Sequence, residues 1–576
     1  MSRLTFRARC LVDGNVQGPL LFSDVPLSFW GGVDSASSEV IDRHHPLSTR
    51  LLKGSVLAIP SGRGSCSGSA ALLELLLNGQ APAALVFEKN EEILTLGVLI
   101  AEQIFGVSIP VVQLSAEDFA QLRNVAYLQV NRHEVIASAA PVPPAAALPA
   151  EPDAVSTLAL SALDQAMLDG AHGQACRAAM QVILSMARLQ GATELINIHQ
   201  AHIDGCIYTG PGSLRFARQL CTWGATVRVP TTLNSVSVDQ RLWRRHGIAS
   251  ELGEPASALA QAYVAMGCRA SFTCAPYLLD SAPAFGEPIV WAESNAVVYA
   301  NSVLGARTLK YPDYLDICIA LTGRAPLSGC HLDEHRRATL VIEVAMPDAA
   351  DDLYFPLLAY HVGLLAGERI PVIDGLQGHT VTTDHLKAFG AAFATTSSAP
   401  MFHIAGITPE APSVAAATGD AAGIERQVID QQALRASWQE LNSARAESVE
   451  LVALGNPHFS RDEFIHLAEL CKGRRKASGT AMIITSGRDV LEQARAVGVI
   501  DVLEAFGAQT VTDTCWCMIG KPLIPINART LMTNSAKYAH YGPGISGANV
   551  YFAGLAQCVE TACSGRAPQT MPAWLA

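Results

Sequence analysis

Between Ser138 and Ser156 the chain reads SAAPVPPAAALPAEPDAVS, a run of alanine and proline with no helical or strand periodicity. Proline fixes φ and lacks an N–H, so such a run stays extended and solvated instead of joining a core. It divides the 576 residues into a small part, 1–137, and a large part, 157–576, with 138–156 as the linker. A chain of this length exceeds one ordinary core in any case. The expectation is a small domain tethered to a large one that holds at least two α/β subdomains, the small one free to move.

Strands alternate with helices in both parts. Gly54 to Pro60 reads as a strand, and Ser61 to Ser69 as a Gly/Ser-rich turn. The helix AALLELLLNG follows, with Asn78-Gly79 as its stop signal. Strands are expected near Ala84–Phe87 and Ile109–Leu114, with an apolar helix between them. A strand, a glycine-rich turn and a helix gather backbone N–H groups at a helix start, which favours anions. The turn is not a Walker loop, because no Gly-Lys-Ser/Thr follows. Nor is Ser65 a nucleophile elbow, since Arg63 and Ser67 stand where glycine is required.

In the large part, helices are expected over 158–169 and 173–190. A strand is expected near Glu194–Ile198, a turn over 200–206, and strands at Ala225–Val229, Ile370–Ile373 and Ser448–Leu454. This alternation implies parallel sheets, whose sites lie beyond the carboxyl ends of the strands. Pro230-Thr231-Thr232-Leu233-Asn234 and Gly455-Asn456-Pro457-His458 fall there. So does Val511-Thr512-Asp513-Thr514-Cys515-Trp516-Cys517. After the second cluster, Ser460 to Glu463 is a capping-box signature that opens a helix.

Apolar residues make up 49% of the chain and the formal net charge is -12, which describes a well-packed globular protein. A nucleic-acid or anionic-membrane partner needs a basic face, and this balance argues against one. The segment MSRLTFRARCLVDG has no apolar h-region, and no apolar run is long enough to span a bilayer. Fourteen scattered cysteines fit a reducing, cytoplasmic setting. The oligomeric state is not legible.

The stretch Thr273 to Thr308 is the densest in chemistry. It opens on Cys274 in a proline turn and carries Glu293, Ser294, Asn295, Asn301, Ser302, Arg307 and Thr308. Ser-Asn and Asn-Ser so close together compete with the backbone for hydrogen bonds, which disfavours a helix interior and points to the wall of a polar site. There is no C-x-x-C pair and no H-x-x-x-H, so structural zinc is poorly supported. Cys515-x-Cys517 with the distant Cys274 can supply thiolates to iron or an iron–sulfur centre, or can be ordinary buried thiols. His202, His403 and His458 lie in polar turns, where a lone histidine is more often a hydrogen-bonding residue than a ligand. For proton transfer, Ser65 requires neighbouring donors such as Arg63 to stabilise an alkoxide, and Glu293 is the carboxylate competitor.

Taken together, these motifs resemble the aconitase X family over nearly the whole chain. GGVD at 31–34, HPL at 45–47, GRGSCSGS at 62–69 and NGQAP at 78–82 resemble its small swivel subunit. AHIDGC at 201–206, VPTTLN at 229–234, FTCAPY at 272–277, WAESNAVVYANSVLGART at 291–308, TGRAP at 322–326, LKAFGAA at 386–392, GITPEAP at 406–412 and TDTCWC at 512–517 resemble its large subunit. The fusion of both parts through the linker resembles the bacterial branch, whose members dehydrate cis-3-hydroxy-L-proline. The archaeal branch dehydrates phosphomevalonate.

The resemblance implies an aconitase-like α/β fold with parallel sheets and a small swivelling N-terminal domain that closes over the site. It implies an iron–sulfur cluster, 2Fe–2S or 4Fe–4S, or mononuclear iron, held by Cys274, Cys515 and Cys517. It also implies Ser65 as the base that removes the Cα proton. Arg63, Thr231, Thr232, Asn234, Ser294 and Asn295 are the expected contacts of a small hydroxy amino acid. One departure stands out: the archaeal-type large subunit has cysteine where this chain has Asn456, so one thiolate of that pattern is missing. Two other readings compete. A phosphorylated or other hydroxy acid would call for more cations at the glycine-rich turn than Arg63. A non-catalytic iron- or ligand-binding protein would not need Ser65, Cys274 and Cys515 together.

Overall fold

The computed structural model describes residues 3–43, 45–63, 66–141, 158–567 and 571–576. Ser65 and most of the Ala/Pro segment therefore lie outside the described residues. The chain divides into two compact units. One comprises Met1–Thr231, Ala262–Gly267 and Tyr311–Ser328; the other comprises Thr232–Gln261, Cys268–Lys310 and Gly329–Ala576.

The first unit contains an eight-stranded mixed sheet. Its centre is parallel: Val16–Phe22, Val56–Ile59, Ala84–Phe87 and Val111–Gln113 lie side by side. Val56–Ile59 and Ala84–Phe87 are buried at every position, as continuous apolar runs in a parallel sheet should be. Antiparallel strands Leu4–Arg7, Glu134–Ser138, Tyr127–Asn131 and Arg9–Val12 complete the edges. The expected helices form as Gly68–Leu77 and Ile93–Phe105.

Residues from both sides of the Ala/Pro segment share this unit: the Gly212 N–H donates to Glu74 Oε2 at 2.5 Å. The TGRAP arginine, Arg324, grips Asp164 through Nε–Oδ1 at 2.7 Å and Nη2–Oδ2 at 3.1 Å. Asp164 also closes the capping box of helix Ala162–Leu168, so this motif serves packing. The strand expected at Ala225–Val229 does not form. Val227 N–H bonds the Met266 carbonyl and Arg228 N–H the Ala320 carbonyl, which leaves the strand to Thr231–Leu233. The expected turn over 200–206 holds a short strand, Ala201–Ile203.

The second unit holds two parallel sheets. One orders His403–Ile404, Pro371–Asp374, Leu340–Val344 and Glu425–Ile429; the other orders Gln509–Thr512, Ala481–Ser486, Leu451–Leu454, Thr530–Thr533 and Asn549–Phe552. Their strands carry the helices that bury them, and the core runs through Trp291, Tyr354, Phe389, Leu451 and Leu531. Among the described residues, no helix is long and apolar enough to cross a membrane.

Candidate active site

The carboxyl ends of the five-stranded sheet converge on one place, as in other parallel α/β sheets. Leu454 leads into Gly455-Asn456-Pro457-His458, Thr512 into Asp513-Thr514-Cys515, and Thr533 into Asn534-Ser535 and the helix carrying Lys537. Cys274 arrives from the loop before the short helix Pro276–Leu278. The three turns share a device: Phe272 (φ 42°), Gly455 (φ 94°) and Asp513 (φ 67°) all adopt left-handed backbone. Two of these are non-glycine residues two positions before a cysteine, and such outliers cluster at functional sites.

The thiols meet around His458 and Asn456. The His458 backbone N–H points at Cys274 Sγ at 3.4 Å, and Asn456 Nδ2 at Cys517 Sγ at 3.8 Å. The Cys515 thiol hydrogen-bonds Cys517 and Ser235. His458 Nε2 lies 2.9 Å from the Thr514 carbonyl, which only accepts, so Nε2 carries the proton and Nδ1 accepts from Thr273 Oγ1 at 3.1 Å. Burial pushes the imidazole down to about 4, so it is neutral. The hydrogen bond from Cys515 pulls Cys517 down to about 7, with Lys537 and the Asn456 amide helping against burial. Burial, with Cys515 and Glu293 beside it, pushes the Cys274 thiol well up.

Glu293 caps the helix Ser294–Tyr299, accepting the Ala296 N–H at 2.9 Å, and pairs with Lys537 Nζ at 2.9 Å. Burial opposes its charge, but Lys537 and the cap hold its carboxyl below the usual range. A carboxylate held ionised and ion-paired in this way is a poor base. Lys537 stays protonated: burial disfavours its charge, while Glu293 first and the three cysteines after it favour it.

The polar stretch after Glu293 corrects a sequence expectation. It is helical, Ser294–Tyr299, continuing as one π-type turn over Ala300–Leu304. Its buried amides and hydroxyls are bound rather than free. Asn295 Nδ2 donates to the Cys274 carbonyl at 3.1 Å and to Glu293, while its Oδ1 accepts from Tyr277 at 2.9 Å. Asn301 bonds the Thr308 and Pro400 carbonyls, each at 3.0 Å, and Ser302 Oγ accepts the Phe402 N–H at 2.9 Å. Partners of this kind are what let such residues sit inside a helix.

The other expected contacts fall in different settings. Arg63 pairs with Asp42 at 2.6 Å, with its side chain 47% exposed. Thr231 Oγ1 donates to the Val229 carbonyl at 2.8 Å. Thr232 and Asn234 are buried in the second unit, where Asn234 Oδ1 accepts the Ser235 N–H at 2.7 Å, and Ser294 is half-buried. His202 is buried in the first unit, and His403 is buried in the second, bonding the Arg336 carbonyl at 2.7 Å.

Beside the thiols a small pocket is lined by Asn456, Lys387, Phe459, Glu463, Asn534 and Ser535. Lys387 there is fully engaged, with the His458 carbonyl at 3.2 Å and with Glu463. Among the described residues no three His, Cys, Asp or Glu side chains stand ready as a metal-binding group. The thiols are set as hydrogen-bonding partners. Yet an all-sulfur donor set suits iron, and the buried hydroxyls of Thr514 and Tyr538, on the turns and helix that carry these groups, have no hydrogen-bond partner among the described residues. The residues present fit such a centre.

Four aconitase X domains match the sequence: the swivel domain over 5–138, the first domain over 157–334, the second over 338–439 and the third over 449–564. A cis-3-hydroxy-L-proline dehydratase of Pseudomonas aeruginosa is 56% identical over 570 residues, 98% of each chain. One of Hypocrea jecorina is 54% identical, over 99% of this chain and 97% of its own. The crystal structure of holo aconitase X from Thermococcus kodakaraensis superposes with a TM-score of 0.64 at 30% identity, over 70% of this chain and 100% of that one. Fold and relatives together make this an aconitase-like α/β enzyme, a dehydratase that acts as a carbon–oxygen hydro-lyase. The chain belongs to the aconitase X family.

Lys537 and Tyr538 escaped the sequence reading, which had Thr514 only as a member of the 511–517 cluster. The only signal was Ser535, an N-cap type directly after an apolar strand.

Proposed function

We propose that the chain removes water from cis-3-hydroxy-L-proline: the Cα proton and the 3-hydroxyl depart, and the enamine tautomerises to Δ1-pyrroline-2-carboxylate. The observation that carries this reading is the gathering of Cys274, Cys515 and Cys517 at one sheet end, beside neutral His458 and the buried Lys537–Glu293 pair. The names of the two relatives above 50% identity support the substrate. Against a phosphorylated acid, Arg63 is already paired with Asp42.

In this reading Cys274, Cys515 and Cys517 hold an iron–sulfur cluster, 2Fe–2S or 4Fe–4S, or a single iron. Such a centre, when bound, supplies Lewis acidity toward the departing hydroxyl. Asn456, standing where the archaeal-type pattern has a cysteine, offers its amide N–H to the sulfur of Cys517, which takes the place of the missing thiolate. His458 fixes the Cys274 turn through its backbone N–H and the Cys515 turn through the Thr514 carbonyl. Ser65 is the base at Cα; Glu293, ion-paired, is not. Arg63, Thr231, Thr232, Asn234, Ser294 and Asn295 remain the proposed substrate contacts. Residues 1–137 are the swivel domain, 138–156 its tether and 157–576 the large catalytic part. Fourteen free thiols support a reducing, cytoplasmic setting.

The test is turnover of cis-3-hydroxy-L-proline by anaerobically purified, iron-reconstituted protein, wild type beside Ser65→Ala. Wild type should turn over, and the variant should lose at least about 100-fold in kcat while keeping its iron. An active variant moves the base elsewhere. A folded, iron-loaded wild type without turnover removes the substrate.

A further inference from the structure

Lys537 is a buried cation to which the proposed mechanism gives no role. Its ammonium carries three N–H donors, and one is taken by Glu293 Oε1 at 2.9 Å. Glu293 is itself immobile, its other oxygen holding the Ala296 N–H and the Asn295 amide, so the ammonium is aimed rather than floating. Lys537 acts electrostatically on all three cysteines. It is the cation named among the largest influences on each of them. Its side chain is 15% exposed, and Cys517 is the one half-buried thiol of the three, so neither is sealed from a ligand.

Removing a proton from a carbon next to a carboxylate places the developing charge on that carboxylate's oxygens, and a preorganised cation is what stabilises it. In a 3-hydroxy-2-carboxylate the hydroxyl oxygen and the carboxylate lie on adjacent carbons. A substrate whose 3-hydroxyl meets the thiol-held centre therefore brings its carboxylate within a few bond lengths of the same place. Apart from Lys537, the described groups named around the three thiols are anionic or neutral: Glu293, the neutral imidazole of His458, the Asn456 amide, and the hydroxyls of Ser235, Thr514 and Tyr538. A carboxylate entering there needs a cation.

We propose that the two remaining N–H donors of Lys537 bind the substrate's carboxylate and stabilise the charge that builds on it, with Glu293 as the positioning residue that aims them. This rests on the thiol triad and on the proposed substrate class. Lys387 cannot take the role, because the His458 carbonyl and two carboxylates already surround it.

The test uses full-length, iron-loaded protein: Lys537→Met, Lys537→Arg and wild type. Iron per chain, kcat and KM for cis-3-hydroxy-L-proline, and calorimetric binding of L-proline and L-prolinamide are measured. In Lys537→Met the iron content should match wild type and kcat/KM should fall roughly 100-fold or more. L-proline binding should be lost while prolinamide binding is retained, and Lys537→Arg should recover part of kcat/KM. Unchanged L-proline binding in Lys537→Met overturns the proposal. So does loss of iron in that variant, which would make Lys537 the counter-charge of the thiolates. A wild type that neither turns over the substrate nor holds iron removes the underlying reading, a result distinct from an active wild type with an equally active variant.

Discussion

Asp313 sits fully buried with its carboxyl bonded to Ser67 and Asp204, and Asp316 lies close by. Burial first, and the Asp316 charge second, push its carboxyl from 3.8 up to about 7. The folded state thus keeps a proton that the unfolded chain releases near pH 4. The stabilisation is complete below that pH and is lost as pH rises through 7, at about 1.4 kcal/mol per unit. Asp313→Asn keeps the volume and removes the titration. The melting temperature of the variant relative to wild type should therefore climb between pH 5 and pH 7. A difference that does not change with pH would mean that Asp313 is ionised and compensated in the folded protein. Nothing in the local sequence Tyr311-Pro312-Asp313-Tyr314 betrays this group, because its partners Ser67 and Asp204 are distant in the chain.

At the scale of elements, the turn after Leu451–Leu454 is set by one glycine. Gly455 has φ 94°, and a Cβ there would stand 2.2 Å from the Thr485 carbonyl oxygen on the neighbouring strand. Gly455→Ala should cost at least about 3 kcal/mol and displace the turn carrying Asn456 and His458, lowering both the melting temperature and the retained iron. Gly473→Ala is the control: its φ is 71° but no atom lies within 4 Å, so it should cost only about 1 kcal/mol. Equal costs for the two would show that the clash does not govern the turn. The start of the helix beyond this turn was legible, since Ser460 and Glu463 form both bonds of the expected capping box. Strand ends were legible where apolar runs stop at polar clusters, as at Thr512 and Leu454. The helix through Ser294–Tyr299 was not, because its polar residues find partners at Cys274, Tyr277, Thr308, Pro400 and Phe402, contacts that local pattern cannot show. Lys537 was hidden for a similar reason: only tertiary folding brings it to Glu293.

For the whole molecule, the thiols, Lys537 and the turns that hold them all belong to one of the two compact units. A group that binds only the folded state stabilises it by mass action, about 4 kcal/mol at a thousandfold excess over its Kd. That free energy is felt by the segments whose opening would release it. Iron loading should thus slow backbone hydrogen exchange over 455–459 and 512–518, at strand ends of one sheet, and over the loop 272–277 that brings Cys274 to them. The eight-stranded sheet of the other unit, which supplies none of the three thiols, should exchange as before. Mass-spectrometric exchange on iron-loaded and chelator-treated protein separates the outcomes. Protection confined to those three segments and the start of helix Ala536–Ser546 would place the iron at the triad. Protection elsewhere, or none despite bound iron, would place it on other residues and free the thiols for the hydrogen-bonded arrangement they show.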